Sequence, residues 1–120
     1  MQYPRLMGET VLLYEYMVYS DDNSGDEMFH EYHVAYKDGL FLLFCREWGR
    51  KNFQEIERWH LIGVLETVIQ VYIRVNKLIQ AECRKDLKMP ESCQLPYTES
   101  ELDRILASAF PEYCKGGNTK

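Results

Sequence analysis

The hydrophobic pattern of this chain changes its period near residue 52, and this change most constrains what the chain can fold into. Before that point, β-branched and aromatic residues form short runs that alternate with polar residues or are apolar throughout, which is typical of β-strands. After it, apolar residues recur at every third or fourth position, which is typical of α-helices. The sequence therefore predicts an α+β domain in which the strands precede the helices.

The first part of the chain predicts a three-stranded antiparallel meander. Residues 20–26 are almost all turn formers, so they predict a loop between the first two strands. Asp38-Gly39 lies between two strand-like runs, and Asp-Gly in that position is the strongest short signal for a β-hairpin. The predicted strands span about 9–19, 27–37 and 40–47.

The second part predicts a long helix over about 53–85. Asn52 followed by Glu55 resembles the capping pair that begins a helix, and a break is expected near Gly63 if the helix does not stay continuous. Residues 68–75 also alternate as a strand would. We favour the helix because the helical spacing persists for roughly 20 residues without a turn. A short second helix is predicted over 99–109, opened by the capping box Thr98-Glu99-Ser100-Glu101.

The predicted long helix raises a problem of size. A helix over 53–85 would extend about 50 Å, whereas a compact globule of 120 residues is only about 35 Å across. Its apolar seam would extend beyond what one small sheet covers, so we predict self-association as a homodimer or coverage by a partner. The seam consists of Leu61, Leu65, Val68, Tyr72, Val75 and Ile79.

Length and the chain ends predict a single domain over residues 1–114 with a disordered tail over 115–120. The N-terminus lacks the features of a signal peptide and no apolar run is long enough to span a membrane, so we expect no membrane partner. The four cysteines form no C-x-x-C pair. We therefore predict reduced thiols and a cytoplasmic location, with a secreted two-disulfide protein as the alternative.

Motifs that would identify a reaction are absent from the sequence. His30, Glu31 and His33 invite a metal-site or acid–base interpretation, but alternation along a strand places His30 on the face opposite the other two. The acidic loop does not match an EF-hand, because no helix is predicted to enter it. We therefore expect no enzymatic activity, no metal and no cofactor.

The strand part of the chain predicts a protein-binding surface. The formal net charge is −5 for the whole chain, but residues 1–45 carry 2 basic against 8 acidic residues. Tyrosines are concentrated on the first two predicted strands, and tyrosine is enriched at protein interfaces. We therefore predict a small acidic interaction module that binds a protein partner of unknown identity. Its predicted contact residues are Asp21, Asp22, Asp26, Glu27, Tyr14, Tyr16 and Tyr32.

An alternative function is single-stranded nucleic-acid binding at the junction between strands and helix. Basic residues beside a tryptophan can hold phosphate groups and stack a base. This less favoured site consists of Arg46, Trp48, Arg50 and Lys51.

Small acidic α+β proteins that carry no catalytic motif are similar in composition to immunity proteins, phage-encoded inhibitors and secretion chaperones. This similarity is one of composition only and transfers no residue to this sequence. The similarity implies an expectation about function: the predicted interaction module would act as an inhibitor or an immunity-type protein by binding its partner.

Overall fold

A computed structural model describes residues 10–85 and 94–113, apart from the side chains of Arg84 and Lys85. Within these residues it confirms the α+β class, with strands followed by two helices. The predicted tail at 115–120 lies outside the described residues. The elements are β1 (Val11–Asp21), β2 (Asp26–Lys37), β3 (Leu40–Lys51), β4 (Gln54–Leu65), α1 (Val68–Lys85) and α2 (Glu99–Ala109).

In the described part of the chain the sheet has four strands in the order β1-β2-β3-β4, so the predicted three-stranded meander is wrong by one strand. β1 and β2 pair antiparallel, with irregularities in register between Leu12 and Tyr14 and between Met17 and Tyr19. The turn between β2 and β3 is Asp38-Gly39, as predicted, and both residues have positive φ angles of 54° and 81°. Positive φ at both central residues is the conformation of a type I′ hairpin turn.

The predicted helix start at residue 53 is wrong. Asn52 and Phe53 have φ angles of 55° and 67°, so they form a second type I′ turn that joins β3 to β4. Asn tolerates the left-handed conformation, and that property rather than helix capping explains its place here. The predicted break near Gly63 is also misplaced, because Gly63 lies inside β4 and the change from strand to helix follows Leu65.

α1 begins with a capping box that the sequence contains at Thr67 and Gln70. The hydroxyl Oγ1 of Thr67 accepts from the Gln70 N–H at 3.2 Å, and Gln70 Oε1 accepts from the Thr67 N–H at 3.2 Å. These two bonds satisfy backbone groups that a helix start otherwise leaves open. α2 spans Glu99–Ala109 as predicted and has the predicted capping box between Thr98 and Glu101.

The chain divides into two compact units, one of residues 1–35 with 42–64 and the other of residues 36–41 with 65–120. The single predicted domain stays a prediction. The first unit has a buried cluster of Ala35, Leu42 and Phe44, against which Trp59 packs. In the second unit α1 contacts α2. The fully buried helical residues are Val71, Val75, Ile79, Leu102 and Leu106.

The predicted apolar seam is not one face of a single helix. Leu61 and Leu65 belong to β4, whereas its other members belong to α1. Within α1, Val68, Val75 and Ile79 are buried in the single chain, and Tyr72 is half-buried. The size problem that motivated self-association through a long helix therefore disappears, while self-association itself stays a prediction.

Candidate protein interface

The two faces of the sheet carry different side chains. Cross-strand partners point to the same face, so the pairing of Tyr16 with His30 places both on one face, which we call the tyrosine face. The pairing of Glu15 with Glu31 places those two carboxylates on the other face, which we call the network face. The predicted separation of His30 from Glu31 and His33 is therefore confirmed.

The network face is built around the buried carboxylate of Glu31. This group accepts from His33 Nε2 at 2.7 Å, from Trp48 Nε1 at 2.7 Å and from Arg46 at 3.1 Å. Arg46 also donates to Glu57 at 2.8 Å, and its guanidinium lies 5.0 Å from the centre of the Trp48 ring. These bonds link β2, β3 and β4 side by side.

Hydrogen bonding decides the ionisation of the carboxylates in this network. Burial raises the pKa of Glu31, but the hydrogen bonds from His33 and Arg46 outweigh it, so the pKa lies below its ordinary value. The hydrogen bonds from Arg46 and Trp59 likewise hold the pKa of Glu57 below its ordinary value. Both groups are therefore held as carboxylates, and the network acts as a structural tie between strands.

The tyrosine face has a second polar cluster around Glu47. His30 and His60 approach its two carboxylate oxygens at 3.4 and 3.3 Å, and Arg58 lies 3.7 Å away. Tyr16 contacts His30 Nδ1 through its hydroxyl at 3.0 Å. Across the described part of the chain, no three His, Cys, Asp or Glu side chains are placed to share a metal ion.

The structure separates the seven predicted partner-binding residues by burial. Tyr32 is only 4% exposed and Asp26 only 8%, so neither is available at the surface, and their selection was wrong. Asp26 faces inward because its carboxylate accepts from the backbone N–H of Asn52 at 3.0 Å. Asp22 and Glu27 are exposed, and the half-buried members are Asp21, Tyr14 and Tyr16.

The alternative nucleic-acid residues are divided as well. Arg46 and Trp48 lie side by side, as residues of one binding site would, but both donate hydrogen bonds to Glu31. The Trp48 ring also stacks on Phe29, with centroids 4.6 Å apart. Arg50 and Lys51 are exposed further along β3, next to the Asn52-Phe53 turn.

β1 exposes more apolar surface than the sequence indicated. Leu12, Met17, Val18 and Tyr19 are between 37% and 50% exposed, and Glu15 between them is also exposed. We call these five residues the β1 strip. Sequence reasoning missed it because a run of apolar and aromatic residues predicts a strand without indicating which side chains are covered.

The β3–β4 turn presents the most exposed large apolar side chain among the described residues. Phe53 is 89% exposed and adopts a left-handed φ of 67°, where bulky residues are outliers. Sequence reasoning placed it in a helix, so its position at a hairpin tip was missed. The signal that could have found it is Asn52, a residue favoured at the first position of such turns.

A cavity of about 370 Å³ lies beside this turn. Trp48 and Ile56 supply its apolar wall, and Gly49 leaves it without a side chain at one position. The charged residues that line it are Glu27, Arg46, Arg50, Glu55 and Glu57.

Cys83 near the end of α1 is disulfide-bonded, so the predicted reduced state is wrong for this residue. Sequence spacing does not show which thiols meet in space, and this is why the prediction failed. None of the described helices is long and apolar enough to cross a membrane.

Comparison with known proteins adds no assignment to this geometry. No family model, no curated protein and no solved structure matches the chain.

Proposed function

We propose that this chain is a protein-interaction module that binds a partner with a basic surface through the β1 strip and the adjoining acidic turn. The observation that carries the proposal is the exposure of four large apolar side chains along one strand, Leu12, Met17, Val18 and Tyr19, between 37% and 50% exposed. Exposed apolar surface with polar groups around it is typical of protein-binding sites.

The acidic residues around the β1 strip indicate that the partner surface is basic. Glu15 lies within the strip, and Asp22 and Glu27 lie at the β1–β2 turn that follows it, all exposed. A positively charged partner surface would meet this acidic rim, which favours fast association and correct orientation. Leu12 and Met17 pair with His33 and Phe29, so they share the network face with Glu15. Apolar contact from these two side chains would supply most of the binding energy.

The proposal attributes no reaction to the chain, and an inhibitor or immunity-type role is one form that it can take. The cytoplasmic location stays a prediction. The disulfide bond at Cys83 weighs against it, because disulfide bonds persist mainly in oxidising compartments.

Nucleic-acid binding is not part of the proposal. The Trp48 ring stacks on Phe29 and its indole N–H donates to Glu31, so stacking a base would require breaking internal contacts. Arg46 is held between Glu31 and Glu57, which leaves Arg50 and Lys51 as the exposed cations of the predicted set.

The test is to capture partners with the tagged full-length chain from its source, identify them by mass spectrometry, and titrate the purified partner against variants. Reversing the charge in Glu15→Lys/Asp22→Lys should weaken binding about tenfold and reduce its salt dependence. Met17→Ser should weaken binding by a similar factor through lost apolar contact.

The matched control is Glu99→Lys/Asp103→Lys, which reverses two exposed carboxylates on α2. Equal affinity of the wild type, the β1 variants and this control for the purified partner would contradict the proposal.

A further inference from the structure

The β3–β4 turn carries a side chain that the turn itself does not need. Phe53 has a φ of 67°, in the left-handed region that is unfavourable for every residue with a Cβ atom. Glycine would fit this position without strain. A strained residue persists where the surrounding structure or a function maintains it, and a phenyl ring that is 89% exposed makes no internal packing that would explain it.

The turn is held firmly from the neighbouring strand. The buried carboxylate of Asp26 accepts from the Asn52 N–H at 3.0 Å. A Cβ added at Gly49 would collide with the backbone of Glu27, which shows how closely β3 approaches β2 just before the turn. A side chain presented on an ordered turn loses less entropy when it binds than one on a loose loop.

A receptor for such a side chain lies next to it on the same chain. The cavity walls include Gly49 and Ile56, which lie four and three residues from Phe53 in sequence. Its volume is about 370 Å³, which is room enough for a phenyl ring, because a cavity of about 150 Å³ already admits benzene. Charged side chains line most of it, and Trp48 and Ile56 line the rest together with Gly49. Ile56 and part of the Trp48 indole, whose ring already stacks on Phe29, supply its apolar wall. A ring that enters the cavity would bury apolar area against them.

The β3–β4 turn is surrounded by equal numbers of positively and negatively charged side chains. Arg50, Lys51, Glu27 and Glu55 are all exposed, and none of them forms an ion pair within the described part of the chain. Glu27, Arg50 and Glu55 line the same cavity, and Lys51 follows Arg50 at the end of β3. Opposite charges on one surface suit contact between identical surfaces, because a two-fold axis brings the cations of one copy to the anions of the other.

We propose that the β3–β4 turn is an interface between two copies of this chain, in which Phe53 of each copy enters the cavity beside Trp48 of the other. Arg50 and Lys51 of each copy then face Glu27 and Glu55 of its partner. A projecting residue and its receptor on one surface make a closed two-fold dimer. This dimer uses no residue of the β1 strip and shares only Glu27 with the acidic turn, so variants at Phe53 test it separately from the proposed function.

Sedimentation of the full-length chain tests this directly. We expect the wild type to change from monomer to dimer as its concentration rises from about 5 to about 500 µM. We expect Phe53→Ser to weaken dimerisation at least about tenfold, as loss of a central aromatic anchor does. Tyr19→Ser, which removes an exposed aromatic from the β1 strip, is the matched control and should leave the dimer unchanged. Circular dichroism shows that each variant is folded.

Charge complementation gives a second, sharper readout. Arg50→Glu/Lys51→Glu and Glu27→Lys/Glu55→Lys should each be monomeric alone, because both reversals place like charges opposite one another. An equimolar mixture of the two should restore a dimer, with one copy of each.

Three results would overturn the proposal. They are a wild type that is monomeric throughout the concentration range, a Phe53→Ser variant that dimerises as the wild type does, and a mixture of the charge variants that stays monomeric. A wild type that is monomeric but binds its partner through the β1 strip would overturn the dimer and leave the proposed function intact.

Discussion

The β2–β3 and β3–β4 hairpins turn with nearly the same backbone conformation and with very different residues. Asp38-Gly39 has φ angles of 54° and 81°, and Asn52-Phe53 has 55° and 67°. Glycine adopts the second position without strain, whereas phenylalanine does not. The first turn is therefore explained by its own two residues, and the second needs support from other parts of the sheet.

That support comes from three contacts that β2 makes with β3 and with the β3–β4 turn. Asp26 binds the backbone of Asn52, Gly49 permits close contact with the Glu27 backbone, and Glu31 binds Arg46 and Trp48 further along β3. The difference between the two hairpins teaches that one conformation can be specified locally in one place and by non-local contacts in another. Removing each support in turn tests this interpretation.

The largest effect is expected at Gly49. In Gly49→Ala the new Cβ would collide with the Glu27 carbonyl on β2, and backbone atoms cannot rotate away as a flexible side chain can. We expect the free energy of unfolding to fall by about 3 kcal/mol, as measured by urea denaturation.

Gly25→Ala is the matched control for this substitution. Gly25 also has a positive φ, of 79°, but its Cβ would meet nothing within 4 Å. Strain alone should then cost roughly 1–2 kcal/mol. Equal losses at both positions would show that close contact between β2 and β3 is not what matters.

The next effect is expected at Glu31 and depends on pH. In Glu31→Gln the charge-assisted hydrogen bonds to His33 and Arg46 weaken, which should lower the unfolding free energy at pH 7 by about 2 kcal/mol. Because hydrogen bonding holds the pKa of Glu31 below its ordinary value, its stabilisation is present above about pH 4 and is lost as pH falls through the lowered pKa.

Denaturation at a series of pH values checks this. The wild type should lose stability more steeply than Glu31→Gln below about pH 4, and Glu112→Gln, which alters an exposed carboxylate, should follow the wild-type curve. Parallel curves for the wild type and Glu31→Gln would show that the network does not stabilise the sheet through charge.

The smallest effect is expected when the turns exchange their second residue. Phe53→Gly should raise the unfolding free energy by about 0.5–1 kcal/mol, since relief of strain exceeds the added entropy of glycine. Gly39→Phe should lower it by about 1 kcal/mol for the same reason. Both are measured by denaturation of dilute protein, so that self-association does not contribute.

A loss of stability in Phe53→Gly would mean that the phenyl ring supports the monomer. It would also remove the argument that this residue is retained for contact with another molecule.

Signals between neighbouring residues are enough to determine several elements of this fold. The capping box at Thr98 and Glu101 marks the start of α2, and Asp38-Gly39 marks the β2–β3 turn. A third signal of this kind, the capping box of Thr67 and Gln70, is present in the sequence and would have corrected the start of α1.

β4 was not predictable in the same way. Its half-buried residues include Ile56, Trp59 and Ile62, while most of the others are exposed. That spacing of three resembles one face of a helix, and an outer strand exposed on both faces lacks the alternation that identifies strands. Pairing with β3 decides its structure, and backbone pairing leaves no trace in the side-chain pattern.

The candidate interfaces were predictable only in part, because exposure is a property of the folded chain. The acidity of the β1–β2 turn follows from composition, but the burial of Asp26 and Tyr32 depends on what packs against them. The exposure of Phe53 likewise follows from the turn that places it.

The sequence by itself determined the α+β class, the order of strands before helices, and those elements whose ends are marked by capping or turn residues. The tertiary structure decided the fourth strand, the division of the apolar seam between β4 and α1, and which acidic and aromatic residues reach the surface. The physical reason is the range of the interactions involved. Caps and turns act between residues a few positions apart, whereas strand pairing and burial depend on contacts between distant parts of the chain.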